Sequence, residues 1–157
     1  MFRFSKEEDS PRLRQLRALS LFATLSPREL KTVDSLLHER SYLKGEIVFD
    51  QGEEGQALYI IIAGRILVCR QGQPETGRVA ELGPGMLFGD LALLDDAPRA
   101  AQVRAAENCT LAVFFRADFL GLLETHAVIA SKIALQLARH MAQRLRETVA
   151  GTPSLLQ

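Results

Sequence analysis

The chain is 157 residues long, and its 19 Lys and Arg balance 19 Asp and Glu, so the formal net charge is zero. Hydrophobic residues make up 47% and charged ones 24%, an ordinary globular composition that excludes a disordered chain and a global electrostatic hold on nucleic acid or anionic lipid. A domain of this length buries roughly two-thirds of its unfolded surface and needs no disulfide or metal staple.

Residues 1–12 read as a flexible N-terminus, with alternating charges and no apolar core of a signal peptide. From Leu13 to Leu37 the pattern is helical, broken at Ser26-Pro27. Ser26, Pro27 and Glu29 form an N-cap, a first-turn proline and a capping-box acid. Leu30, Val33, Leu36 and Leu37 then give the second helix one apolar face. The texture changes at Gly45. Short β-branched and aromatic runs follow, at Glu46–Phe49, Ala57–Ile62, Ile66–Cys69, Val79–Leu82, Ala101–Arg104 and Thr110–Phe115. Between them lie turns at Asp50–Gly55, Ala63-Gly64, Gln71–Pro74 and Gly83-Pro84-Gly85. Strands so spaced, with no full-length helices between them, predict a sandwich or barrel rather than a doubly wound sheet. Cys69 and Cys109 fall inside apolar runs and are expected as buried thiols of a reducing compartment.

Helix is expected again over Ala117–Glu124 and Ala127–Val149. In the longer one Ile133, Leu137, Met141 and Leu145 recur every four residues beside Ala134, Ala138 and Ala142, with Lys132, Arg139, Gln143, Arg144 and Arg146 opposite. Such a helix either packs on its own domain or protrudes to pair with a second copy. The predicted organisation is α+β: a single domain over 13–149, a β-roll at about 45–115 between helices, and a tail at 150–157. No apolar stretch approaches the ~20 residues of a membrane span, and a soluble cytoplasmic protein without membrane contact is expected.

The informative segment runs from Phe88 to Ala105. Gly89 precedes an acid, Asp90, and four apolar residues, which reads as one helical turn whose free N–H groups face an anion. Arg99 follows behind Pro98 and can return over that turn to grip a phosphate through two hydrogen bonds. This run resembles the phosphate-binding cassette of the cyclic-nucleotide-binding domain superfamily, which includes protein kinase A regulatory subunits, catabolite-activator-type bacterial regulators and cyclic-nucleotide-gated channels. Leu21-Phe22 through Leu25, Gly45–Phe49, Gly52-Glu53, Leu58–Ile61, Gly64 and Gly83-Pro84-Gly85 also resemble the family's pattern, so the similarity covers roughly Leu19 to Thr148.

The resemblance implies that Arg99 pairs with the cyclic phosphate and that the amides of Leu91, Ala92 and Ala100 complete its shell, with Ala101 following. Gly89 allows close approach near the ribose. Asp90 stands where most members carry the Glu that binds the ribose 2′-hydroxyl. Its carboxylate is withdrawn by about 1.5 Å, the length of one C–C bond. Where Ala100 stands, members that prefer cyclic GMP often carry Thr, so cyclic AMP is the implied ligand, with cyclic GMP and cyclic di-GMP as alternatives. The last helix resembles the dimerisation helix of catabolite-activator-type regulators, which implies a homodimer through residues 127–149. Thr148 takes an adenine-contacting position, and Val149 leaves its companion hydroxyl missing. Those regulators continue into a helix-turn-helix domain. Here the expectation is the sensor half alone, acting on an unidentified effector protein and not binding DNA directly.

An enzyme is not expected. Gly83-x-Gly85-x-x-x-Gly89 has the wrong spacing for a dinucleotide fingerprint. His38, His126 and His140 lie far apart, on segments read as surface helices, and offer no metal site. No catalytic residue and no cofactor are predicted. A ligand-independent dimerisation or docking module is the competing reading.

Overall fold

The computed structural model describes residues 10–70 and 78–151, so the expected turn at Gln71–Pro74, most of the N-terminal segment and the tail beyond Gly151 lie outside the described residues. Helix α1 (Pro11–Ala18) and α2 (Pro27–Leu36) flank a 3-10 turn at Ser20–Phe22. The strands are β1 (His38–Tyr42), β2 (Ile47–Phe49), β3 (Ala57–Ala63), β4 (Ile66–Cys69), β5 (Arg78–Leu82), β6 (Leu87–Phe88), β7 (Gln102–Ala105) and β8 (Cys109–Phe115). A second 3-10 turn, Asp90–Leu93, separates β6 from β7, and α3 (Arg116–Thr125) and α4 (Ala127–Gly151) end the fold. The strands form two antiparallel four-stranded sheets, ordered β1-β8-β3-β6 and β2-β7-β4-β5. This is the expected α+β roll.

Strand β3 explains why the roll and the helices cohere. Successive side chains of a strand point to opposite faces. Leu58 and Ile60 therefore join the core under the helices, while Tyr59 and Ile61 face the core between the sheets. Its partner β8 divides likewise, with Ala112 and Phe114 towards the helices and Cys109 and Leu111 inward. One strand pair is thus the shared wall of both cores, which is why both runs are almost wholly apolar rather than alternating. Gly64, at φ +88°, turns β3 into β4 where a Cβ would lie 2.5 Å from the Asn108 carbonyl oxygen; any side chain there must displace the β7–β8 turn.

The helices attach through the predicted α2 cap. The Ser26 hydroxyl accepts from the Glu29 amide and the Glu29 carboxylate accepts from the Ser26 amide. The same carboxylate takes a 2.6 Å bond from Lys132 of α4, and these contacts, Lys132 first, hold its pKa below the ordinary carboxylate value. Ile129, Ile133 and Leu137 bury the first half of α4.

Several elements differ from the sequence reading, among them β6, which it did not expect, and α1, which begins at Pro11 inside the segment read as flexible. Strand β1 precedes the expected start of the roll. Its residues His38-Glu39-Arg40-Ser41-Tyr42 are largely exposed and lack apolar alternation, so only backbone pairing with β8 marks them as an edge strand. His38 accordingly lies on a strand, and His126 sits between α3 and α4. Strand β7 begins at Gln102, so Arg99 sits in an irregular loop rather than at the start of a strand. Both cysteines are free and buried. Among the described residues no helix is long and apolar enough to cross a membrane.

Candidate ligand-binding site

Strand β6 pairs with Tyr59 and Ile60 of β3 and delivers the chain to Gly89, whose φ of +72° starts the 3-10 turn. The following loop returns alongside the β2–β3 connection. There the Arg99 amide donates to the Glu53 carbonyl at 2.7 Å, the Gly52 amide to the Arg99 carbonyl at 2.9 Å, and the Gly55 amide to the Ala97 carbonyl at 3.2 Å. These bonds fix the backbone on both sides of Arg99, so its side chain folds back in one direction. Nη2 donates to the Ala57 carbonyl at 2.6 Å and Nη1 to the Gly89 carbonyl at 3.2 Å. Nε is buried with no acceptor. Burial pulls the guanidinium's pKa below its ordinary value, with Tyr59, Glu53 and Asp90 offsetting part of the effect; the group remains a cation.

Asp90 is 4% exposed. Its Oδ1 accepts from Arg144 Nη1 at 3.3 Å, and Oδ2 lies 3.1 Å from Nη2 but out of line for a hydrogen bond. A buried carboxylate oxygen is thus left without a directed donor, a state that costs free energy unless a donor arrives.

A cavity of about 1030 Å³ runs between this segment, the 3-10 turn after α1, and α4. It brings together Gly89, Asp90, Leu91, Ala92, Arg99, Ala100 and Ala101, seven of the eight residues singled out from the sequence. The Ala92 amide already donates to the Gly89 carbonyl at 3.1 Å. Val68, Leu82, Met86 and Val103 supply an apolar wall, while Ser20, His140 and Arg144 lie towards α4. Thr148 is exposed and is not among the lining residues. Among the described residues no cluster of His, Cys, Asp or Glu could hold a metal.

The placement of Arg144 corrects the sequence reading, which put it on the solvated face of α4. Steps of four residues advance 400° at 100° per residue, so each drifts about 40° and three drift about 120°. The series Ile133, Leu137, Met141, Leu145 therefore winds off the domain, and Leu145 is 65% exposed. Spacing nearer 3.6 links Ile133 and Leu137, buried in the core, to His140 and Arg144, which line the cavity together with Met141. His140, read as a surface residue, lies on it with Nδ1 3.5 Å from Ser20 Oγ.

Arg116 also escaped the sequence reading. At the start of α3, its Nη1 lies within 2.6–3.1 Å of the carbonyls of Gly55, Ala92 and Asp95. It joins the β2–β3 connection to the cassette turn at Ala92 and to the loop just beyond it at Asp95.

Gly89 gives the site a sharp local test. A Cβ at that position would lie 2.6 Å from Arg99 Nη1 on a left-handed backbone. Gly89→Ala is expected to destabilise the fold by about 1–2 kcal/mol, a fall in melting temperature of roughly 2–8 °C. An unchanged thermal melt would show that the turn does not need its glycine.

Comparison with known proteins agrees with this geometry. A family model described as the cyclic nucleotide-binding domain matches residues 39–126. The cyclic AMP receptor protein of Thermus thermophilus is 38% identical over 135 residues, covering 84% of this chain and 60% of that protein. The cAMP-dependent protein kinase regulatory subunit of Mycosarcoma maydis is 36% identical over 124 residues, covering 71% of this chain and 24% of that protein. Among solved structures, the Thermus thermophilus catabolite activator protein superposes with a TM-score of 0.75 at 36% identity, covering 87% of this chain and 62% of that one. The chain thus spans less than two thirds of each of these relatives. It belongs to the cyclic nucleotide-binding domain family.

Proposed function

We propose, starting from that membership, that the chain is a regulatory sensor that binds cyclic AMP and reports occupancy through α4. The observation that carries this reading is one cavity lined by a tethered cation with a buried, unpaired donor, Arg99 Nε, and by an acid with a buried, unpaired oxygen, Asp90 Oδ2. A cyclic phosphate meets the first need and a ribose hydroxyl the second. The preference for cyclic AMP over cyclic GMP is supported by Ala100 after the arginine and by the names of two relatives, a cyclic AMP receptor protein and a cAMP-dependent protein kinase regulatory subunit.

The signalling step follows from Arg144. A ligand hydroxyl at Asp90 shares the carboxylate that Arg144 already holds, so occupancy changes how firmly α4 is tied to the cassette. Only a ligand with different affinity for the two positions of α4 can shift their populations. The second half of α4 suits a homodimer: Ala138, Ala142 and Leu145 are exposed at spacings of four and three, the repeat of a two-helix seam. Thr148 reaches the base, on this reading, only after α4 shifts or from a second copy. The role is regulatory rather than catalytic. The balance of 19 basic and 19 acidic residues favours an effector protein over DNA as the partner that reads α4, and the two buried thiols fit a reducing cytoplasm.

Calorimetric titration with cyclic AMP, cyclic GMP and cyclic di-GMP tests the reading. Saturable binding is expected, tightest for cyclic AMP. A folded protein that binds none of the three would leave the roll as a ligand-independent dimerisation or docking module.

A further inference from the structure

Beneath Arg99 lies a platform of three rings. Cζ of Arg99 is 4.1 Å from the centroid of the Phe49 ring and 5.9 Å from that of Tyr59. Phe49 is itself held in place, with its centroid 5.8 Å from Tyr59 and 5.9 Å from Phe88, while Tyr59 and Phe88 stack at 5.1 Å with planes only 2° apart. Phe49 is 8% exposed and lines the ligand cavity beside the arginine.

Two hydrogen bonds alone do not fix a guanidinium. The anchors at Ala57 and Gly89 both act on Nη atoms, so the planar group can still pivot about the line that joins them. A ring in face contact at 4.1 Å removes that remaining freedom, because tilting lifts the cation off the negative face of the π system. The ring also answers the cost of burial. Desolvation disfavours the arginine's charged form, and an aromatic face returns part of the lost solvation without using any N–H donor. Nε–H, buried and without a partner, therefore keeps its hydrogen-bonding capacity unspent.

We propose that Phe49 is a positioning residue for phosphate capture: its ring orients the Arg99 guanidinium before the ligand arrives. The inference rests on the phosphate role of Arg99 set out above and assigns Phe49 a part that hydrophobic packing does not supply. Packing alone requires volume and apolarity; positioning requires a π face.

The test compares Phe49→Leu, Phe49→Met and Phe49→Tyr with the parent protein. Titration with cyclic AMP is expected to show roughly five- to tenfold weaker binding for the Leu and Met variants, the size of a partly desolvated cation–π contact. Phe49→Tyr should stay within about twofold of the parent, since it keeps the face. A ligand-free NMR readout accompanies the titration: the Arg99 Nε–H resonance, shifted by the ring current in the parent and in Phe49→Tyr, should return towards its ordinary position in Phe49→Met. Phe49→Met retains a long apolar side chain and serves if Phe49→Leu melts early. Equal affinity of parent and Met variant would overturn the proposal, as would a Tyr variant as weak as the Met one. If the parent binds no cyclic nucleotide, the sensor reading fails first, and that outcome is seen before any variant is compared.

Discussion

Replacing Arg99 with alanine is expected to weaken cyclic AMP binding by roughly thirtyfold to several thousandfold, the range for losing one partner of a buried, hydrogen-bonded charge pair. The phosphate is the ligand's only formal charge, and Arg99 is the cation that the cassette backbone brings to Gly89 and Ala57. Stability should respond far less. The variant loses two hydrogen bonds to carbonyls and the contact with Phe49, but it also sheds the desolvation cost of a half-buried cation, so the two changes oppose each other. A melting temperature within a few degrees of the parent is the expected result, equivalent to about 1 kcal/mol at this chain length. Arg99→Lys separates charge from geometry. Lysine keeps the charge but not the planar fork that satisfies Ala57 and Gly89 together, so at least about a tenfold loss should remain. Nucleotide at a hundredfold excess over the parent's Kd should stabilise the parent by about 2.7 kcal/mol and Arg99→Ala by no more than about 0.9 kcal/mol. An alanine variant that binds like the parent would remove Arg99 from the site.

The parts of the site that were legible in the sequence are those whose partners are close along the chain. Gly89, Asp90 and Arg99 fall within eleven consecutive positions, and each carries its own chemical signal: backbone freedom, an acid, a forked cation. The capping box of α2 is similarly local. Where the partner is distant or is backbone, the sequence was silent. Phe49 reads as one more strand residue until the roll folds it under Arg99, fifty positions away. Arg116 binds only carbonyls, which every residue possesses, so no side-chain pattern announces it. Strand β1 is an edge with no apolar face. Arg144 was legible in principle, and a 3.6-residue period in place of a four-residue one places it with Leu137 on the domain side of α4. Its contact also changes what Asp90 means. Read alone, the shorter acid costs the ribose contact through one missing methylene. In the structure the carboxylate is buried and bridged to Arg144 of α4, so its position ties the cassette to that helix.

Arg116→Met should have the largest effect on the fold of any single change near the site. Its guanidinium is mostly buried, and Nη1 serves carbonyls at Gly55, Ala92 and Asp95, at 2.7, 3.1 and 2.6 Å. Removing the donor strands the Gly55 and Ala92 carbonyls on buried residues, whereas exposed Asp95 can turn to water, and each buried acceptor left without a partner costs about 1–3 kcal/mol before water relieves any of it. With two hydrogens shared among three acceptors, and one contact already long, a net loss of about 2–4 kcal/mol follows, or roughly 4–16 °C in melting temperature. Methionine retains most of the apolar stem, so lost packing is not the cause. Arg116 does not line the cavity, yet nucleotide affinity should fall with stability, by at least about tenfold, a loss of roughly 1.4 kcal/mol. The Ala92 carbonyl lies within the turn that presents Asp90 and the Asp95 carbonyl just after it, and freeing them loosens the acid and the loop that leads to Arg99. The ion pair is not the agent. Glu54 lies 3.7 Å from Nη2 and is more than half exposed, a geometry worth little in water, so Glu54→Gln should stay within about 0.5 kcal/mol of the parent. Urea unfolding and nucleotide titration of both variants decide the matter. If Glu54→Gln reproduces the loss, charge holds the cassette; if Arg116→Met unfolds with the parent, the three carbonyls find water and the clamp is dispensable.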